Sequence, residues 1–156
     1  MMRNSLLLLT VLALPLASAA APAMPAPQGV WLTEDGDGAV AIFDCGDRLC
    51  GRIVWQKSTL RADGSPDIDD HNPDPALRQR PVCGLQIIGA LTQSDPATWE
   101  GGWIYDPDSG KTYRVKLTME GAETLRLRGY IGIPLFGESQ LWRRAASDLP
   151  LCAPSG

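Results

Sequence analysis

The chain has 156 residues, of which 44% are hydrophobic and 21% charged, and its formal net charge is −4. That length allows one domain with a single core once a leader is removed. An acidic balance argues against nucleic acid or anionic lipid as a main partner, because both call for a basic surface.

Residues 1–19 read as a signal peptide. Arg3 supplies the positive start, and Ser5 to Leu16 is almost wholly apolar and uncharged. Ala17-Ser18-Ala19 then meets the small-x-small rule for cleavage. The apolar run is short of the roughly 20 residues a membrane-spanning helix needs. The expected location is therefore periplasmic or secreted. What remains is one domain's worth of chain, and the loss of Arg3 leaves it more acidic still. Residues 20–28 form a Pro/Ala leader without periodicity, which is expected to be flexible.

From Gly29 onward short strands alternate with turn signals at intervals of about 8–12 residues, the rhythm of an all-β domain. The expected strands are Val30–Thr33, Ala39–Asp44, Leu49–Gln56, Leu85–Leu91, Gly102–Tyr105, Thr112–Met119, Thr124–Tyr130 and Ser139–Arg144. Turns rich in Gly, Asp and Pro separate them, as at Glu34–Gly38 and Asp106–Gly110. In Thr112–Met119 the residues Tyr113, Val115, Leu117 and Met119 share one face, and Leu125 and Leu127 do the same in the next strand. Half-buried antiparallel strands read this way. Consecutive hairpins leave two raw edges unless the sheet closes. The expected fold is all-β, a small antiparallel up-and-down barrel of about eight strands over residues 29–146. Eight strands can be filled by side chains or can hold one small ligand.

Lys57–Val82 breaks the rhythm. It is charged and holds four prolines. Asp74 as N-cap and Pro75 at the first helical position predict a short helix near residues 74–80. Asp67-x-Asp69 begins like a calcium loop but lacks the glycine and closing glutamate such a loop needs. Asp69 and Asn72 are therefore read as structural groups that shape the loop through hydrogen bonds. His71 is the lone histidine, and no Gly-x-Ser-x-Gly elbow accompanies it.

Four cysteines, Cys45, Cys50, Cys83 and Cys152, allow three pairings. Cys45 and Cys50 bracket a hairpin turn, so Cys45–Cys50 with Cys83–Cys152 is the expected set. The second bridge would tie down the tail, residues 147–156. Their spacing and the single histidine do not suit zinc. No metal and no cofactor is expected.

Interior positions define the candidate site. Trp55, Trp103, Tyr105, Tyr113, Val115, Leu117, Leu125 and Leu127 are expected to line a pocket, since such pockets are mostly apolar with a few polar anchors. Arg52, opposite Trp55, reads as a surface charge. The run Gly129–Gly137 is apolar and glycine-rich where a loop should be polar, and is expected to act as a lid across one barrel end, the alternative being an exposed apolar patch for a partner.

Several blocks together carry a resemblance. They are Cys45-Gly46 through Leu49-Cys50-Gly51-Arg52-Ile53-Val54-Trp55, Asp69-x-x-Asn72-Pro73, Arg80-Pro81 and Gly84. Trp99-x-Gly101-Gly102-x-Ile104-Tyr105-Asp106-Pro107, Gly110-Lys111-Thr112-Tyr113, Leu125-x-Leu127-x-Gly129-Tyr130 and Trp142-x-Arg144 extend it. With these the chain resembles the family called domain of unknown function 2147 over about residues 29–144. The resemblance implies a small exported bacterial protein with a lipocalin- or calycin-like barrel, and no established activity. It also implies that Trp31, in Gly29-x-Trp31, lies under Arg144 from the last strand, or failing that Arg143, a cation–π contact.

The functional expectation is an exported, non-catalytic protein that binds a small, largely apolar ligand inside its barrel. An alternative is an envelope protein-interaction module, an inhibitor or assembly factor, using an outer face. A second is a carboxylate-dependent hydrolase, whose acids could come from any strands.

Overall fold

The computed structural model describes residues 25–152. The expected signal peptide and the first leader residues lie outside that range. Eight strands form one closed antiparallel barrel. They are β1 (Gly29–Leu32), β2 (Gly38–Cys45), β3 (Arg48–Gln56), β4 (Gln86–Asp95), β5 (Thr98–Asp106), β6 (Lys111–Met119), β7 (Thr124–Tyr130) and β8 (Glu138–Arg144). Each strand pairs with the next, and β8 returns to β1 through Trp31↔Arg144 and Leu32↔Arg143. Closure removes the exposed edges that an open meander would leave. Among the described residues no helix is long and apolar enough to cross a membrane.

Alternation builds the core. Val115, Leu117 and Met119 of β6 point inward beside Leu125 and Leu127 of β7, and all five are buried. From the other wall come Val40, Ile42, Leu49, Ile53, Ile88 and Leu91. Register shifts interrupt the pairing of β2–β3, β3–β4, β4–β5 and β5–β6, and two of them bear on the site. Trp99 pairs with Leu117 and Gly102 with Val115, so β5 spends one extra residue there. Gly101, at φ +79°, accommodates that extra residue. A second irregularity separates Ala39↔Trp55 from Val40↔Ile53.

The leader covers one barrel end around Trp31, with a pocket of about 360 Å³ left beside it among Pro25, Gln28, Leu49, Leu91 and Trp99. Trp31 is fully buried, with the Arg144 guanidinium 4.2 Å from its ring centre. Arg144 also donates to the carbonyls of Gln28 (3.0 Å), Ala26 (3.2 Å) and Ala122 (3.0 Å), and the Trp31 indole donates to Pro27 O at 2.8 Å. The last leader residues, expected to be flexible, are thus tied across the barrel bottom.

Residues 57–85 cross the other end as one ordered loop. Instead of a helix to residue 80 the loop forms a single 3-10 turn, Pro75–Leu77, with Asp74 accepting from Ala76 N at 2.9 Å. The helix stops early because the Arg78 side chain turns back to Asn72 O (2.7 Å) and Arg80 O accepts from Asp69 N (2.9 Å). The disulfides are Cys45–Cys50 and Cys83–Cys152, with Cα separations of 5.8 and 6.1 Å. The first spans the β2–β3 hairpin; the second ties the tail to the segment just before β4.

Candidate functional site at the open end of the barrel

At the end opposite Trp31 the interior is not filled. A cavity of about 460 Å³ lies between β5, β6, β7 and the β7–β8 loop. A second, of about 490 Å³, continues under the long loop toward β2 and β3. The two share Ile87, Asp106, Pro107 and Gln140 in their walls. Small-molecule sites begin at about 300 Å³, so either is large enough.

The walls follow from the strand registers. Ile104 pairs with Tyr113, and Gly129 pairs with Val115, which places these residues on the inner face near the mouth. Gly129 creates space. A Cβ there would meet nothing closer than 4.0 Å, from Ile104 Cγ2 and Tyr113 Cβ. The other strand glycines do not. A Cβ on Gly51 would lie 3.0 Å from Ile42 Cδ1, and one on Gly102 would run into the Gly89 carbonyl. Two polar anchors face in from β8. Gln140 accepts from the buried Trp142 indole at 2.8 Å, and Glu138 stands above it at the rim.

The eight expected pocket residues fall into three groups. Tyr113, Leu127 and Tyr105 border the cavity. Val115, Leu117 and Leu125 are fully buried and form the packed floor. Trp103 and Trp55 border neither cavity. Trp103 is 37% exposed and pairs with Gly89 and Arg114 on the outer face. Strict alternation from the inward Trp99 would place Trp103 inside; the Gly101 bulge reverses the phase. Trp55 likewise pairs with Ala39, just beyond the β2–β3 irregularity, and is half-buried. Arg52 sits 4.6 Å over the Phe43 ring on the outside, a surface position as expected. Ile87, Ile104 and Gln140, which the sequence reading missed, are wall residues. Gln140 was legible as the residue two before Trp142 on an alternating strand.

Tyr105 is held from the loop side. Its hydroxyl donates to Asp69 Oδ1 at 2.5 Å, while Asp69 Oδ2 accepts from Asn72 Nδ2 (2.8 Å) and Arg80 Nη2 (2.9 Å). Asp69 is completely buried, so this set clamps the long loop onto β5. Burial, then the hydrogen bond to the Asp69 carboxylate, pushes the Tyr105 phenol from 10.0 up to about 12. Asn72 Oδ1 accepts from Asp74 N at 2.9 Å.

Acids line the loop side of the mouth. Asp67, bound by Gln56 Nε2 at 2.5 Å, faces Asp106 and Asp108. Burial first, then Asp106 and Asp67, pushes the Asp108 carboxyl above its usual range. Arg61 bonds Asp70 at 2.8 Å and holds that carboxyl below its usual range. Among the described residues no group of three or more His, Cys, Asp or Glu is placed to hold a metal ion. The expected lid is different in detail. Ile131 and Phe136 border the cavity, yet both are more than two-thirds exposed, so neither is packed over the mouth as a lid side chain would be.

Comparison with known proteins agrees with this architecture. A solved structure, described as protein HP1028 from Helicobacter pylori belonging to the lipocalin family, superposes with a TM-score of 0.69 at 22% identity. The match covers 80% of this chain and 86% of that one. At that identity it establishes the fold: a lipocalin-like barrel. No curated protein matches the sequence. A family model described as an uncharacterized protein conserved in bacteria, DUF2147, matches residues 29–144, and the chain belongs to that family.

Proposed function

We propose that this is an exported carrier that binds one small, largely apolar molecule in the open end of its barrel. The observation that carries the reading is the unfilled cavity beneath the mouth, walled by Ile87, Ile104, Tyr113 and Leu127 and opened by Gly129. Gln140 and Glu138 offer two polar contacts at one side, which suits an apolar tail with a polar end. A lipocalin-like fold accords with such a role but does not define the ligand. Two disulfides accord with an oxidising compartment.

The test is direct. The chain from Ala20 onward, purified from the bacterial periplasm, is analysed by native mass spectrometry and then titrated with a fluorescent long-chain fatty acid. A discrete adduct, or saturable one-to-one binding of the probe, is expected. The absence of both an adduct and probe binding would remove the carrier reading.

A further inference from the structure

Averaged over the chain the protein is acidic, but its charge is segregated. Residues 111–144 hold seven cations against three acids, whereas residues 20–110 and 145–156 hold six against fifteen. The barrel turns this into a face. Arg114 and Lys116 of β6, Arg126 and Arg128 of β7 and Arg143 of β8 alternate with the buried residues of their strands and so point outward. The lone acid of these three strands, Glu138, pairs with Gly129 and faces the mouth instead. Neighbouring acids neutralise part of the face, through Arg126–Glu120 and a looser Lys116–Glu100 contact at 3.7 Å. Arg114 and Arg143 carry no ion pair among the described residues.

The top of this face runs directly into the β7–β8 loop. There Ile131, Ile133, Leu135 and Phe136 are 53% to 77% exposed. Four large apolar side chains so close together at a protein surface mark a contact site. The loop is held in shape, since Arg128 donates to Pro134 O at 2.6 Å and Leu135 O at 3.3 Å. These bonds lower the ordering cost of presenting its apolar groups. Arg114 pairs with Tyr130, the residue just before the loop, and Lys116 pairs with Arg128, so cations flank the apolar tip.

We propose that the β7–β8 loop inserts into a bilayer containing anionic phospholipid, with the outer face of β6–β8 resting on the headgroups. Apolar insertion and basic attraction are the two components of interfacial binding. Of the acids at the mouth, Asp67, Asp106 and Asp108 belong to the long β3–β4 loop and to the β5–β6 turn with its flank, and Glu138 adjoins the β7–β8 loop, so the barrel docks on its β7–β8 edge and not mouth-down. Ile131 and Phe136 border both the insertion tip and the cavity. Docking thereby brings the cavity entrance to acyl-chain depth, a route for an apolar ligand that never crosses water.

The inference goes beyond the carrier reading and has its own test. The chain from Ala20 onward is floated with vesicles of phosphatidylglycerol and phosphatidylethanolamine, and with vesicles of phosphatidylcholine alone. Binding to the anionic vesicles, weakened by added salt, is expected. Ile133→Ser with Leu135→Ser, neither of which borders the cavity, lowers vesicle affinity by about tenfold or more. Arg114→Ala and Lys116→Ala each lower it by about fivefold. Circular dichroism confirms that each variant is folded, and probe binding in vesicle-free solution reads the cavity separately. Equal flotation with both vesicle types, unchanged flotation of the loop variant, or burial of the loop in a dimer or protein complex with no vesicle binding would overturn it. A protein that takes up the probe but does not float loses the docking proposal and keeps the carrier reading.

Discussion

Replacing Gly129 with isoleucine separates an open cavity from a filled core. The new Cβ finds its nearest neighbours at 4.0 Å, an ordinary contact, and no left-handed backbone angle stands in the way. Removing a mid-strand glycine recovers roughly 0.5–1 kcal/mol of backbone entropy. The melting temperature is therefore expected to hold, or to rise by about 3 °C. Affinity for an apolar probe should fall sharply. Displacing about three buried methylenes at about 0.8 kcal/mol each removes about 2.4 kcal/mol, or roughly fiftyfold. Gly51→Val is the control, because its Cβ lies 3.0 Å from Ile42 Cδ1 and 3.1 Å from Ile88 Cβ. Overpacking there should cost about 1–3 kcal/mol. Thermal melts and fluorescence titration of both variants suffice. A Gly129→Ile protein that melts like the parent yet binds the probe undiminished would show that the ligand lies elsewhere. One that melts well below it would show that the space is not open.

Arg144→Ala removes the cover from Trp31 and three carbonyl contacts at the leader-covered end. A loss of about 2–3 kcal/mol is expected by chemical denaturation, with a shifted tryptophan emission. Asp69→Ala strands the Tyr105 and Asn72 donors in a buried site. It should cost about 3–5 kcal/mol, with the 57–85 loop becoming the first site of proteolysis. Tyr105 titrates higher folded, at about 12, than the ordinary 10.0, so its contribution is intact below pH 10 and lost as pH rises toward about 12. Tyr105→Phe should flatten that alkaline decline, and an unchanged stability–pH curve would refute the assignment. The bridges close loops of very different length, with sequence separations of 5 and 69. Serine pairs that remove one bridge at a time should therefore lose roughly 2 kcal/mol for Cys45–Cys50 and roughly 4 kcal/mol for Cys83–Cys152. Equal losses in denaturant melts would contradict the loop-entropy argument.

Much of this protein is legible in one dimension. Turn chemistry and period-two alternation define eight strands, because a half-buried strand must alternate and its turns need Gly, Asp or Pro. The Cys45–Cys50 bridge follows from a hairpin, and Asp74-Pro75 marks where a helical turn begins. The face of each strand is legible only while the period is unbroken. In β6 and β7 it is, so Tyr113, Val115, Leu117, Leu125 and Leu127 lie on the inner face as expected. In β5 one residue at Gly101 turns Trp103 outward, and nothing in the local pattern distinguishes a bulge glycine from any other. Whether a strand glycine opens space depends on what the facing strand supplies. Gly51 is filled by Ile42 and Ile88, and Gly102 is closed by the Gly89 backbone, whereas Gly129 faces a gap. The clamp of Asp69 on Tyr105 spans 36 residues of chain, and the basic face joins three strands that a net charge of −4 averages away. Sequence determines which residues alternate; only closure of the barrel decides which of them meet, and what room they leave.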